Sequence, residues 1–287
     1  MIPCFRRHDE LSIQIETAMI LSDLTLARRL ERCEAHAGSR FVEARALLSA
    51  NSGAEWMEVA GAYAMFDGPK SPITQTFGLG VFEEVTDSDL GRLEGFFKDR
   101  DAPVMHEISP LAAKSLFPLL NQRGYQPLEY TSVMFLPLNG QIPVAPPANT
   151  AIRVRAIEEK ESEVWASTAA EGWRESMEFA DLILDLARVS AARQDGPSFL
   201  AELDGRPIAA GSLCIHEEVA LLAGASTIPE ARRQGAQRAL LAARLSHAQQ
   251  AGCELAMMCA EPGSTSQRNA ERHGFRIAYT RIKWTLP

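Results

Sequence analysis

The sequence predicts an α/β chain made of two related halves. Three observations carry this. In the second half, strand-like and helix-like patterns follow one another as β-α-α-β-β-β-α-β-α-β. Near the middle, "LNGQIPVAPPANT" (138–150) has three prolines and no charged residue, which reads as an extended linker. The halves also end alike. Arg123-Gly124-Tyr125 and His273-Gly274-Phe275 each open a final strand of similar length, a weak internal repeat. The expected boundaries are 1–138 for the first domain, 139–150 for the linker and 151–287 for the second domain.

In the first half, residues 11–50 are mostly helical in pattern, and "PVMHEISPLAAKSLFPLLNQRGYQPLEYTSVMFLPL" (103–138) reads as strand, helix, glycine, strand. In the second, "IRVRAI" (152–157) alternates as a strand does. Two helices follow, Glu158 to Trp173 and Ser176 to Arg193, broken at Gly172-Trp173-Arg174. Residues 197–229 hold three strands. Asp204-Gly205 makes a two-residue hairpin turn between the first two, and His216-Glu217-Glu218 a looser turn before the third. A helix starts at Gly235, then comes the strand "CELAMMCAEP" (253–262). A shorter helix, Ser266 to His273, closes on Gly274 as its C-cap, and "FRIAYTRIKWTL" (275–286) is the last strand.

With 287 residues, 46% of them hydrophobic, the chain can build a sizeable core. Its formal net charge is -8 and neither half is basic, so nucleic acid is a poor partner. A local arginine cluster in an acidic chain points to a specific small anion instead. The cysteines Cys4, Cys33, Cys214, Cys253 and Cys259 form no CxxC pair. Cys253 and Cys259 stand roughly 20 Å apart along a strand, too far to bond, so free thiols in a reducing cytoplasm are expected. Charged residues interrupt the first ten positions, so no signal peptide is expected, and no window is apolar enough to span a membrane. These features place the chain in the cytoplasm and leave oligomerisation open. His106 and Glu107 are adjacent on a strand and face opposite ways, so they cannot share a metal ion, and no metal site is expected.

The chemistry concentrates in "STIPEARRQGAQRALLAARLSHAQQAG" (226–252), where a strand breaks at Pro229 and a helix begins after Arg232-Arg233-Gln234-Gly235. The first amides of a helix are unpaired and its dipole is positive there, so together they form an anion site. Gly235 lets the backbone approach an anion without a Cβ in the way. Arg233 and Arg238 flank it with charge. In the first half, "EEVTDSDLGRL" (83–93) stands in the same place; it is acidic and would repel a phosphate.

On these residues the chain resembles the GCN5-related N-acetyltransferases. "TIPEARRQGAQRALL" is similar to that superfamily's acyl-CoA loop, Arg/Gln-x-x-Gly-x-Gly/Ala, with Arg232 and Gly235 in place and Gln237 departing in the last slot. "STSQRNAERHGF" resembles its later helix and Gly-Phe ending. The resemblance covers residues 151–287, and the first half resembles a degenerate second copy, as in tandem members. It implies two domains, each a mixed, mostly antiparallel sheet flanked by helices. It also implies acetyl-CoA as cosubstrate and transfer of its acetyl group to a primary amine on a small molecule or peptide. The backbone of Ser226, Thr227 and Ile228 would pair with the pantetheine arm. The amides of Arg233, Gln234, Gly235, Ala236, Gln237 and Arg238 would hold the pyrophosphate, and Asn269 would touch the cofactor. Glu171 to Arg174 would grip the acceptor.

Acyl transfer also needs a base for the amine and a proton for the departing thiolate. Many family members use a tyrosine four residues before the glycine of Gly-Phe; here that residue is Ala270. Tyr279, Ser264 or a water are the substitutes for the acid, and Glu261, just past the central strand, is a candidate base. The alternative reading is a module that binds or senses acyl-CoA and catalyses nothing.

Overall fold

The computed structural model describes residues 20–140, 144, 149–175 and 180–287. The first half opens with helix α1 (Leu24–Leu48), capped by Asp23, whose carboxylate accepts from the amide of Leu26 at 2.9 Å. Its buried residues Leu26, Leu30, Cys33, Ala37, Phe41 and Ala44 recur every three or four positions and form the stripe it presents to the sheet. There follow β1 (Glu55–Val59), β2 (Ala62–Phe66), β3 (Gln75–Phe77), α2 (Asp87–Lys98), β4 (Val104–Ile108), α3 (Leu116–Gln122) and β5 (Gln126–Pro137). The second half holds β6 (Ile152–Ala156), α4 (Ser162–Glu171), α5 (Ala180–Ala192), β7 (Ser198–Leu203), β8 (Arg206–His216) and β9 (Val219–Thr227). It ends with α6 (Ala236–Gln250), β10 (Leu255–Ala260), α7 (Thr265–Arg272) and β11 (Arg276–Leu286).

The strands form one sheet in the order β1-β2-β3-β4-β11-β5-β10-β9-β8-β7-β6. Only β3–β4 and β9–β10 run parallel; the other neighbours are antiparallel, so the sheet is mixed and mostly antiparallel. The halves exchange their last strands. β5 lies between β10 and β11, and β11 lies between β5 and β4. Each half's sheet is therefore completed by the other half's final strand. Helices cover both faces. α6 packs with Phe199, Ala201 and Ala209 on one face, while α4 packs with Leu200 and Ala210 on the other. The stripe of α1 covers β9, β10, β5 and β11 through Leu221, Met257, Val133 and Tyr279.

Several local expectations are refined. The turn at Glu217-Glu218 is tight rather than loose. Both residues adopt left-handed φ (44° and 63°) without a glycine, and the Glu218 carbonyl accepts from the amides of Glu254 and Leu255. The helix expected from Glu158 begins as a short 3-10 turn, Glu159–Glu161, before α4. The last helix starts at Thr265 because the Ser264 side chain caps it, accepting from Gln267 N at 3.2 Å. Of the helical pattern expected over 11–50, residues 11–19 lie outside the described residues, as do 176–179 of the second expected helix and most of the linker. Among the described residues, Cys33, Cys214, Cys253 and Cys259 are free thiols. No described helix is long and apolar enough to cross a membrane.

Candidate functional site

The site begins where the sheet parts. β9 and β10 pair only from Val219/Leu255 to Leu221/Met257. Beyond that point β10 stays with β5 up to Ala260, and β9 stays with β8 up to Thr227. Among the described residues, the edge of β9 after Leu221 thus has no strand beside it. A bulge adds to the divergence. The register passes from Ala210/Ser226 to Ser212/Ala223, so Gly224 and Ala225 stand opposite Gly211 alone. Gly224 takes φ 59°, which only glycine adopts without a steric cost.

The arginine loop leaves the end of this free edge. Pro229–Ala231 form one 3-10 turn, Arg233 sits at φ 64°, and Gly235 at φ 97° leads into α6. The Arg232 guanidinium donates to Glu175 at 2.6 Å and to the carbonyl of Gly172 at 3.2 Å. Arg174 pairs with both Glu171 and Glu230. These contacts lace the loop to the end of α4. Among the described residues no side chain caps α6 and no acid lies in its first turn, so its leading amides have no internal partner. The matching helix of the first half, α2, is closed. Thr86 and Asp89 form a reciprocal capping box there, with Asp87 beside them. At the second-half start, the buried Nε of Arg238 has no partner among the described residues.

A cleft of about 960 Å³ opens over this helix start. Ser226, Thr227, Arg233, Gln234, Gly235, Ala236, Gln237, Arg238 and Asn269, the residues expected at the cofactor, all line it. Ile228 stands just outside that lining; its amide donates to the Ile208 carbonyl at 2.9 Å and its carbonyl accepts from Ala231 N at 3.0 Å. The Gln237 side chain reaches back across the mouth and donates to Thr227 Oγ1 at 2.8 Å. Gly172 and the half-exposed Trp173 line the opposite wall.

The two catalytic candidates fall outside the cleft. Tyr279 is buried on the α1 side of the sheet, where its hydroxyl donates to Glu31 at 2.8 Å and burial pushes its pKa well up. The reason is a register shift. β11 carries an extra residue between Ile277 and Tyr279, which turns Tyr279 away from the face that Phe275 shares with α6. Glu261 is exposed in the turn after β10 and does not line the cleft. Ser264 is occupied in capping α7, and Ala270 is a small buried wall residue. Among the described residues the one carboxylate lining the cleft is Glu175, already paired with Arg232. Sequence reasoning missed Glu175, Met258 and Arg244 as lining residues. For Arg244 a signal existed: it is spaced four after Leu240 and four before Ala248, on the buried stripe of α6.

Residues 156–275 match the family model described as the acetyltransferase (GNAT) family. A search of curated proteins found no match. Among solved structures, the chain is similar to a GCN5-related N-acetyltransferase from Kribbella flavida. The TM-score is 0.58 at 18% identity, over 87% of this chain and 95% of that one. It is similar to a tandem GNAT protein from the clavulanic acid biosynthesis pathway, with TM-score 0.56 at 11% identity, covering 88% and 94%. A functionally unknown conserved protein from Staphylococcus epidermidis also matches, with TM-score 0.56 at 8% identity, covering 82% and 94%. These likenesses, all at low identity, establish the fold.

Proposed function

We propose that the cleft binds an acyl-CoA, acetyl-CoA in the simplest case, and passes its acyl group to a primary amine; the match of residues 156–275 to the acetyltransferase (GNAT) family model supports this reading. The observation that carries this reading is the uncapped start of α6, set at the end of the free β9 edge. An extended pantetheine arm adds to that edge as a strand would, through Ser226 and Thr227. The amides from Arg233 to Arg238 and the unpartnered Arg238 Nε take the pyrophosphate. The acceptor, a small molecule or a peptide, enters past Trp173. The amine nitrogen attacks the thioester carbon directly, a C–N bond forms as the C–S bond breaks, and the thiolate leaves to take up a proton. With Tyr279 and Glu261 outside the cleft, water relays the proton that the amine sheds.

A non-catalytic acyl-CoA sensor is the second reading, and it is favoured by Ala270, which puts no acid on the wall where the family's tyrosine stands. Thermal melting with and without acetyl-CoA, for wild type and Gly235→Glu, tests the donor site. A ligand at about a hundred times its Kd adds about 2.7 kcal/mol. The wild type is expected to shift and the variant not; equal shifts would remove the loop assignment. Thiol release over a panel of amines, polyamines and peptides then separates enzyme from sensor.

A further inference from the structure

Arg244 lies on the core-facing stripe of α6 and is 3% exposed. Its Nε donates back to the Leu240 carbonyl at 3.3 Å. Its Nη1 is shared between the carbonyls of Ser212 at 3.2 Å and Ala223 at 3.3 Å, the residues that flank the β9 bulge. Among the described residues no acceptor takes Nη2 and no carboxylate pairs with the group. The other deeply buried arginines differ. Arg281 is held by Glu34 and Glu107, and Arg193 by Asp195. A buried guanidinium without a counter-ion is costly, because neutral carbonyls offset only part of its lost hydration. Burial pushes its pKa down to about 10, which leaves it charged at neutral pH.

The space around it is shaped for the charged head. A Cβ on Gly211 would stand 3.2 Å from both Cζ and Nη1 of Arg244. The bulge carbonyl it serves is not otherwise bare, since Ser212 Oγ already donates to Ala223 O at 3.1 Å. Arg244 also lines the cleft, with Leu241 and Met258. It stands nine residues past Gly235, roughly 13 Å along the helix, so it does not belong to the anion site at the helix start. It stands against Ala223, two residues past the last β9–β10 pair at Leu221/Met257.

We propose that Arg244 is the floor of an acyl subsite and that the donor is a CoA thioester of a short dicarboxylic acid, whose free carboxylate completes the ion pair. The inference rests on reading the cleft as a CoA site. It adds that the acyl group itself carries a negative charge.

Isothermal titration of the full chain with CoA, acetyl-CoA, malonyl-CoA and succinyl-CoA tests it. Malonyl-CoA or succinyl-CoA is expected to bind wild type roughly tenfold more tightly than acetyl-CoA, the lower end of the coupling measured between close charge pairs. Arg244→Met removes the preference, and Gly211→Ala, which crowds the guanidinium without deleting it, weakens it. Equal affinities for the three thioesters in wild type overturn the proposal, and so does a preference that survives in Arg244→Met. If free CoA binds and no preference is seen, only the acyl subsite falls. If CoA itself does not bind, the reading of the cleft falls and takes this inference with it.

Discussion

Arg281, on the last strand of the second half, donates from Nε to the carboxylate of Glu107, on β4 of the first half, at 2.9 Å. Its two Nη groups reach both oxygens of Glu34 on α1, at 2.7 and 2.8 Å. The exchanged strand is therefore fastened to the other half by charge as well as by backbone pairing; Arg281 and Glu107 are buried and Glu34 is partly exposed.

Replacing this guanidinium strands its acids. Arg281→Met leaves Glu31 and Glu34 without their counter-charge and Glu107 with Lys283 alone, at 3.5 Å, and a loss of about 3–5 kcal/mol is expected. Urea unfolding measures it. For the same topological reason, residues 151–287 expressed alone lack β5 between β10 and β11. That fragment is expected to stay unfolded by circular dichroism and to recover structure when mixed with residues 1–150. A fragment that melts cooperatively by itself would contradict the exchange.

Glu31 sets a pH dependence at this junction. Burial is the main cause that raises its pKa from 4.5 to about 7, with Arg281 opposing. The folded state thus binds a proton more readily than the unfolded one between those values. This group's contribution is fully present below about pH 4.5 and is lost as pH rises to about 7, at up to about 1.4 kcal/mol per pH unit. His36 and His106, lowered to about 4 chiefly by burial, act with the opposite sign over the same range. The difference between wild type and Glu31→Gln cancels their effect. That difference is expected to grow in favour of the variant from pH 4.5 to 7 and then level off; a flat difference curve would show that Glu31 titrates normally.

Gln237 spans the cleft mouth through its bond to Thr227 Oγ1. Gln237→Ala is expected to lose about 1 kcal/mol of stability with that bond, while CoA binds several-fold tighter because the helix start becomes more open. Calorimetry on the variant reads both quantities. Weaker CoA binding would mean that the side chain is part of the cradle.

Gly172 lies against the free edge of β9. A Cβ there would fall on Ser226 Oγ and stand 2.5 Å from Ser226 Cβ, while Ser226 Oγ itself donates to the Ala169 carbonyl at 2.8 Å. Gly172→Ala is expected to cost about 1–3 kcal/mol through overpacking and to weaken CoA binding by shifting the edge. A melt of the variant with and without CoA checks both effects, and an unchanged melting temperature would show that α4 yields freely.

Much of the frame was readable because its signals are local. The Asp204-Gly205 turn, the close of α7 at Gly274 and the arginine loop before α6 each depend on a few neighbouring residues, and each stands where its residue types require. The position of Tyr279 was not readable. Counting by twos from Phe275 puts it on the cleft face, but one extra residue in β11 reverses the phase, and a bulge shows only when a strand's partner is known.

The sequence by itself determined the order of strands and helices in the second half, the likeness of the two halves and a helix start flanked by arginines, because periodicity, turn chemistry and capping act over a few residues. Tertiary structure alone decided that β5 and β11 change places, that Arg281 meets Glu107, and that Arg244 is buried beside the cleft with no acid against it among the described residues. Those outcomes depend on which distant segments pair and on how charges are paired once water is excluded, and no short window of sequence carries that information.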